Sequence, residues 1–178
     1  AEQLARNAAL LARLSELVTH DQLTGAYSRR HTFDQLEQLV ATRQRHGTRA
    51  SIVMFDLDHF KVVNDTYGHP TGDWALLEAV RAVKAALRNG EMLGRIGGEE
   101  FLVLLPMTDA DAAFQLAERL RQTLAETSIA DGTDTIFLPA SFGVAELLAA
   151  ESHAEWFRRV DGALYQAKAQ GRNRVVVA

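Results

Sequence analysis

The sequence contains no cysteine, no excess of positive charge and no long apolar run. Without cysteine the chain has no disulfide, no thiolate zinc site and no thiol nucleophile, which agrees with a reducing compartment, and we expect a cytoplasmic location. The 19 basic and 23 acidic residues give a net charge of -4. No overall positive field attracts duplex DNA, so we expect no nucleic-acid partner, and any phosphate-binding charge must be local.

No stretch approaches the roughly 20 apolar residues of a membrane-spanning helix, and the N-terminus lacks the basic-then-apolar order of a signal peptide. We expect no direct membrane insertion by this fragment; if a longer protein is anchored, the domain should lie at the cytoplasmic face. The chain begins at Ala1 within a predicted helix, so we expect a piece of a longer protein. Its 178 residues, 47% of them apolar, suffice for one domain with a sizeable core.

The first 20 residues have a heptad pattern. Leu4, Leu11 and Val18 follow one another at seven-residue spacing, with Asn7 and Leu14 forming a second row. This pattern predicts a short coiled-coil signalling helix over residues 1–20, ahead of a domain over residues 21–178. A helix packed against its own domain is the alternative.

Hydrophobic periodicity and capping signals predict the remaining elements. Helices are expected at residues 29–46, 73–88, 108–126 and 152–171, and strands at 51–57, 92–96, 101–105, 140–146 and 174–177. Thr108 with Asp111, and Ser152 with Glu155, read as capping boxes. Gly97-Gly98 predicts a tight hairpin with positive φ angles. The order predicts an α/β (α+β) domain with a central mixed five-stranded sheet covered by helices.

Four carboxylates lie where strands end or turn. Asp56 and Asp58 follow the first strand, and Glu99 and Glu100 adjoin the hairpin. Solvation of loop ends is the ordinary role of a single acidic residue. Clustered carboxylates destabilise a fold unless a cation neutralises them, and oxygen ligands suit Mg²⁺ or Mn²⁺. The sequence therefore predicts a divalent metal site if the first strand lies beside the hairpin.

Such a site commonly binds a nucleoside triphosphate, as in polymerase-like palms. One ion would polarise the α-phosphate while a second lowers the pKa of a ribose 3′-hydroxyl. Lys61, Asn64, His69 and Asp73 fit as substrate contacts. An amide and a carboxylate together match a guanine edge, because the amide both donates and accepts while the carboxylate accepts from ring N–H and amine groups.

A set of ordered strings resembles the successive motifs of GGDEF-family diguanylate cyclases, and the resemblance covers about residues 21–177. The strings are Asp21-Gln-Leu-Thr-Gly25, Phe55-Asp-Leu-Asp-His-Phe-Lys61, Asn64-Asp65, Gly68-His-Pro-Thr-Gly-Asp73, Arg95-Ile-Gly-Gly-Glu-Glu-Phe101, Ser141-Phe-Gly-Val144 and Ala163-Leu-Tyr-Gln-Ala-Lys-Ala-Gln-Gly-Arg-Asn-Arg174. It implies a nucleotidyl cyclase that condenses two GTP into cyclic di-GMP and pyrophosphate.

The resemblance also implies roles at matching positions. Asp56, the carbonyl of Leu57, Glu99 and Glu100 resemble the ligands of Mg²⁺ or Mn²⁺, and Glu99 with Glu100 resembles the catalytic pair, Glu99 as base for the 3′-hydroxyl. Asn64 and Asp73 resemble the guanine readers, which favours GTP over ATP. The full implied substrate-binding set is Phe60, Lys61, Asn64, His69, Asp73, Gly97, Gly98, Lys168 and Arg172.

One departure concerns product inhibition. The family's Arg-x-x-Asp motif is here Arg88-Asn-Gly-Glu91, and glutamate moves the carboxylate by one methylene. A contact tuned for aspartate should weaken, so Arg88, Glu91 and Arg95 form a candidate degraded inhibition site. Product should still bind the active site itself.

The two-fold symmetry of cyclic di-GMP indicates a homodimer in which two identical half-sites face each other. The heptad helix would pair the domains, and an upstream sensory domain would act through it. Two further hypotheses stay open: a non-catalytic module that binds GTP or cyclic di-GMP, and a purely structural dimerisation domain.

Overall fold

Helices and strands alternate along the chain much as the sequence predicts. The computed structural model describes residues 2–178, with the side chains of residues 2, 11–14 and 17 outside the description. The helices are α1 Glu2–Thr19, α2 Arg29–His46, α3 Phe60–Tyr67, α4 His69–Ala86, α5 Ala110–Glu126 and α6 His153–Ala169. The strands are β1 Ala50–Leu57, β2 Met92–Arg95, β3 Glu100–Pro106, β4 Ser128–Asp131, β5 Asp134–Phe137, β6 Ala140–Glu146 and β7 Val175–Val177.

The central sheet has five strands in the order β2-β3-β1-β6-β7, which confirms the predicted mixed sheet. β1 lies in the middle, antiparallel to β3 and β6, while β7 pairs parallel with β6. Every residue of β1 is buried, as expected for a continuous apolar strand covered on both faces. The C-terminal end of β1 therefore lies between β3 and β6, in the middle of the row of strand ends that forms one edge of the sheet.

Alternation along β1 separates two core layers. Val53, Phe55 and Leu57 pack in the layer that contains α4 and α5 residues, whereas Ile52 and Met54 pack with residues of α2 and α6. The next residue on the α2/α6 face is Asp56. The strand pattern thus aims a carboxylate at α6.

Side-chain caps fix the N-terminal ends of α2, α5 and α6. Ser28 caps α2 and Gly47 ends it with a φ of 67°, as predicted for a glycine stop. The capping box of Ser152 and Glu155 is confirmed. The α5 prediction is wrong in one respect: Asp109, not Thr108, is the N-cap, and it accepts from the N–H of Ala112.

Other elements differ from the sequence prediction. A separate short helix, α3, precedes α4, and α4 begins at His69 rather than near Asp73. Leu77 lies among the apolar residues of α4 but is 41% exposed. The hairpin of β4 and β5 was not predicted, because its strands are only four residues long and largely polar. The α6 helix ends at Ala169, ahead of Gly171.

Helix α1 exposes apolar side chains of the predicted heptad row. Leu4 is 75% exposed and Val18 63%; Leu11 and Leu14 lie outside the described side chains. Ser28 joins the helix end to the domain, because its N–H donates to the carbonyl of Thr19 at 2.7 Å. Within residues 2–178, no helix is both long and apolar enough to cross a membrane.

Candidate active site

Asp56 and Glu100 lie directly opposite each other in the β1–β3 ladder. The same strand end meets the hairpin through its backbone, since the N–H of Leu57 donates to the carbonyl of Glu99 at 3.4 Å. The condition set by the sequence, that the first strand lie beside the hairpin, is therefore met. It places carboxylates from two chain segments at one sheet edge.

Lys168 faces this acidic edge from α6. Its Nζ lies 2.9 Å from Oδ2 of Asp56, and the side chain of Asp56 is only 8% exposed. Like charges opposite each other on neighbouring strands destabilise a sheet, so a cation here offsets the repulsion between Asp56 and Glu100. Lys168 belongs to the implied substrate-binding set. In this structure its ammonium instead supplies a positive charge to the carboxylate cluster, through its pair with Asp56.

Burial raises the pKa of Asp56 to about 6. The hydrogen bond and charge of Lys168 oppose this rise, while the charges of Glu99 and Glu100 add to it. The ionised form of Asp56 is thus costly without further positive charge. A group with these properties at a sheet edge is a candidate for a functional site.

Gly143 lets α6 approach the sheet closely enough to deliver Lys168. A Cβ at this position would lie 2.5 Å from the carbonyl oxygen of Val160 and 2.6 Å from the nitrogen of Leu164. Trp156 fixes the other end of the helix by donating its indole N–H to the carbonyl of Ala145 at 3.0 Å. The close packing of α6 against β6 therefore explains the glycine in the Ser141-Phe-Gly-Val144 string.

The double-glycine turn differs from the prediction. Neither Gly97 nor Gly98 is among the positive-φ residues. The turn is held instead by arginines that bind its carbonyls: Arg95 donates to Gly98 at 3.0 and 2.8 Å and to Gly97 at 3.2 Å, and Arg29 donates to Ile96 at 2.6 Å. The loop between β2 and β3 has four residues, 96–99, and loops of this length are mostly built around type I turns, whose central residues have negative φ.

Arg95 also ties the turn to the start of the domain, through an ion pair with Asp21 at 3.0 Å. Burial opposes ionisation of Asp21, but bonds from Thr24 and Arg95 prevail and hold its pKa below the ordinary range. The hairpin that carries Glu99 and Glu100 is therefore braced against the turn that follows α1. Sequence reasoning grouped Arg95 with the inhibition motif and missed this bracing.

Five of the predicted substrate contacts lie on α3 and α4, which follow the end of β1: Phe60, Lys61, Asn64, His69 and Asp73. Phe60 and Lys61 begin α3, where helix N–H groups lack intrahelical acceptors. Gly72 lies against the side-chain amide of Asn64, and a Cβ there would overlap it. The amide of Asn64 therefore lies against the backbone of Gly72, one residue before Asp73.

Arg172 lies in the turn that follows α6. The turn is exposed, and it returns to the end of β1, where the N–H of Asn173 donates to the side chain of Asp58 at 2.9 Å. Asp58 is buried and accepts a second bond from Ser141. Sequence reasoning counted Asp58 with the acidic cluster; its oxygens face internal donors.

Arg88 and Glu91 line a cleft of about 260 Å³ with His20, Tyr27 and Lys84. The carboxylate of Glu91 accepts the backbone N–H of Arg88 at 2.7 Å, closing its own turn. Arg95 binds the hairpin turn instead. Two of the three predicted inhibition-site residues are therefore together, and the third has another partner.

The residues present suit a hard divalent cation by their chemistry. All candidate donors are oxygens, and an ammonium already sits against the buried carboxylate of Asp56. Among the described side chains, no three His, Asp or Glu residues form a ready-made metal cluster. Asp56, Glu99 and Glu100 thus offer carboxylate oxygens, the donors that a hard divalent cation takes.

Comparisons with known proteins identify the family of the chain. The family model described as "Diguanylate cyclase, GGDEF domain" matches residues 18–174. The chain is 40% identical over 167 residues to the probable diguanylate cyclase DgcC of Escherichia coli K12, covering 93% of this chain and 45% of that protein. It is 39% identical over 158 residues to the diguanylate cyclase DgcP of Pseudomonas aeruginosa, covering 89% and 24%.

Solved structures share the whole fold. The coiled coil and GGDEF domain of DgcB from Caulobacter crescentus, in complex with c-di-GMP, has a TM-score of 0.93 at 28% identity, covering 99% of this chain and 94% of that one. The diguanylate cyclase SiaD of Pseudomonas aeruginosa, solved with its activator SiaC, has a TM-score of 0.89 at 39% identity, covering 99% and 67%. The chain spans less than half the length of the curated relatives above. This chain belongs to the GGDEF domain family of diguanylate cyclases.

Proposed function

We propose that this chain condenses two GTP molecules into cyclic di-GMP with release of two pyrophosphates. Each 3′-oxygen forms a bond to the α-phosphorus of the other nucleotide, and the bond from that phosphorus to pyrophosphate breaks. The observation that carries the proposal is the placement of Asp56 opposite Glu100 at a sheet edge, with Glu99 beside them.

Asp56, the carbonyl of Leu57, Glu99 and Glu100 would hold Mg²⁺ or Mn²⁺. The metal would supply positive charge at the α-phosphate and lower the pKa of the attacking hydroxyl. The raised pKa of Asp56 supports this assignment, because burial and two neighbouring carboxylates create a demand for positive charge.

Lys168 and Arg172 would bind the outer phosphates. Lys168 pairs with Asp56 at 2.9 Å; if that carboxylate held a divalent cation, the ammonium would be available to a phosphate oxygen. Lys61 and the N–H groups at the start of α3 would bind phosphate from the other side. The triphosphate would thus lie between α3 and the end of α6.

Asn64 and Asp73 would read guanine. The carboxylate of Asp73 is exposed and can accept from the ring N–H and the exocyclic amine, while the amide of Asn64 supplies both a donor and an acceptor. Adenine offers no matching donors to Asp73, so GTP is favoured. Glu99 would take the proton of the 3′-hydroxyl as the new bond forms.

Two copies would face each other through a two-fold axis, since one half-site holds one nucleotide. The exposed Leu4 and Val18 support pairing through α1 rather than packing of α1 on its own domain. An upstream sensory domain would then act by changing the pairing of α1, and so the effective concentration of one half-site at the other.

Incubation with GTP and Mg²⁺, followed by mass spectrometry of the nucleotides, tests the proposal. The expected result is cyclic di-GMP with two pyrophosphates per product molecule, absent when EDTA is added. Binding of GTP without product would identify a non-catalytic module instead. Binding of neither GTP nor cyclic di-GMP would leave only a structural dimerisation domain.

A further inference from the structure

The turn after α6 has an unfavourable backbone conformation. Gly171, Arg172 and Asn173 have φ values of 113°, 63° and 42°, so three consecutive residues lie on the left-handed side and two of them carry side chains. Such residues persist only when the surrounding structure holds them. The turn exposes the side chain that would reach the outer phosphates, that of Arg172.

The carboxylate of Asp58, which follows β1, holds this turn by a hydrogen bond to its backbone. Its Oδ2 accepts the N–H of Asn173 at 2.9 Å, and its Oδ1 accepts the hydroxyl of Ser141 at 2.6 Å. The residue is only 8% exposed. A buried carboxylate whose two oxygens both accept from internal donors is rigidly fixed, and charged acceptors give the stronger hydrogen bonds.

The strand β7 does not depend on this contact alone. Its pairing with β6 runs over three residue pairs, and the N–H of Phe142 donates to the carbonyl of Arg174 at 2.9 Å. Loss of the Asp58 bond should therefore loosen the turn while the sheet stays paired. The hydrogen bond from Asn173 to Asp58 therefore stabilises the conformation of residues 171–173 more than it stabilises the fold.

Asp58 also stands two positions after Asp56 on the same chain segment. One short stretch thus carries the carboxylate of the candidate metal site and the anchor of the turn that bears Arg172. We propose that Asp58 is a positioning residue for triphosphate binding, which fixes Arg172 relative to Asp56. The proposal rests on the proposed function, because Arg172 meets a phosphate only if the chain binds GTP.

The test compares Asp58→Ala with Asp58→Asn. Asparagine can keep both contacts, since its oxygen accepts from Asn173 and its amide donates to the oxygen of Ser141. Calorimetry with Mg²⁺ and 3′-deoxy-GTP, which lacks the attacking hydroxyl, measures triphosphate binding, and GMP measures base and sugar binding. Asp58→Ala should weaken 3′-deoxy-GTP by about tenfold and leave GMP unchanged, while Asp58→Asn should restore triphosphate affinity.

A double-mutant cycle with Arg172→Ala shows whether Asp58 acts through the arginine. The combined variant should bind 3′-deoxy-GTP no more weakly than Arg172→Ala alone, and additive losses would overturn the proposal. Amide hydrogen exchange at Asn173 should accelerate in Asp58→Ala and not in Asp58→Asn. If Asp58→Ala does not fold, Ser141→Ala decides: weaker triphosphate binding supports the proposal and unchanged binding overturns it. A wild-type chain that binds no 3′-deoxy-GTP refutes the proposed function itself.

Discussion

Lys168 and Asp56 form an ion pair 2.9 Å long across the edge of the central sheet. The pair joins a residue of α6 to the buried end of β1, where Glu100 lies directly opposite. It shows that this edge accommodates positive charge.

Glu99→Gln should lower cyclic di-GMP formation by at least about 100-fold, because the amide neither accepts the 3′-hydroxyl proton nor supplies a charged metal ligand. GTP should still bind, at reduced affinity, through the contacts to base and outer phosphates. Initial rates and calorimetry measure the two effects. Full activity in this variant would refute both assignments of Glu99.

The pKa of Asp56, raised from an ordinary 3.8 to about 6, gives stability a definite pH dependence. Between these values the folded chain holds a proton that the unfolded chain has lost, so the free energy of unfolding decreases as pH rises from about 4 to 6. Asp56→Asn removes this dependence. Without divalent cations, the Tm of the wild type relative to Asp56→Asn should fall across that interval and level off above it. A difference that grows with pH would contradict the raised pKa.

Asp73→Ser should relax base choice. The loss of an acceptor for guanine donors should reduce the preference for GTP over ATP by at least about tenfold in kcat/KM. Asp111→Ser, an exposed acidic residue of α5, provides the control and should keep the wild-type preference. An unchanged GTP preference in Asp73→Ser would remove Asp73 as a reader.

Gly143→Ala should destabilise the fold by about 1–3 kcal/mol, because its methyl group would meet the backbone of α6 at Val160 and Leu164. Gly162→Ala is the matched control, since a Cβ there has no neighbour within 4 Å and the residue lies within α6. That change should stabilise by about 0.5–1 kcal/mol. Thermal or urea unfolding measures both, and equal effects would show that the close approach of α6 is not required.

Helix α1 should control assembly. Val18→Glu places a charge on the exposed heptad row and should reduce both dimer formation and activity at low concentration, and a fused leucine zipper should restore the activity. Ala9→Glu, an exposed position off that row, should leave both unchanged. Sedimentation and concentration-dependent rates provide the readout. Activity independent of concentration, of Val18→Glu and of the zipper would contradict pairing through α1.

The elements that sequence predicted well have strong local signals. The α2 helix begins at Arg29 and ends at His46 as predicted, because its apolar face is periodic and Gly47 marks its end. The α3 helix was missed because eight residues hold too few turns for a periodic pattern, and it follows a left-handed His59 that no local signal indicates. Asp109 and Thr108 are adjacent and both able to cap, so sequence could not choose between them.

Most residues of the candidate site were predicted from motifs that resemble those of the family. Only part of the site, including the carboxylate cluster, was predicted from physical arguments about the sequence. Carboxylates at the end of β1 and at the hairpin were expected to meet, and the β1–β3 ladder brings Asp56 to Glu100. The pair of Lys168 with Asp56 and the anchoring of Asn173 by Asp58 join distant chain segments, and no local pattern reports such contacts. The positive φ expected at Gly97 and Gly98 was wrong because the loop has four residues, 96–99, and not the two of a tight hairpin turn.

Asp56 and Glu99 are proposed to share one divalent cation. A crystal structure with 3′-deoxy-GTP and Mn²⁺, in which anomalous scattering locates the metal, measures this arrangement. We expect a Mn²⁺ peak about 2.1 Å from a carboxylate oxygen of each residue, with Lys168 moved from Asp56 to a phosphate oxygen. A metal bound to the triphosphate but beyond ligand distance of either carboxylate, with the Lys168–Asp56 pair intact, would contradict it.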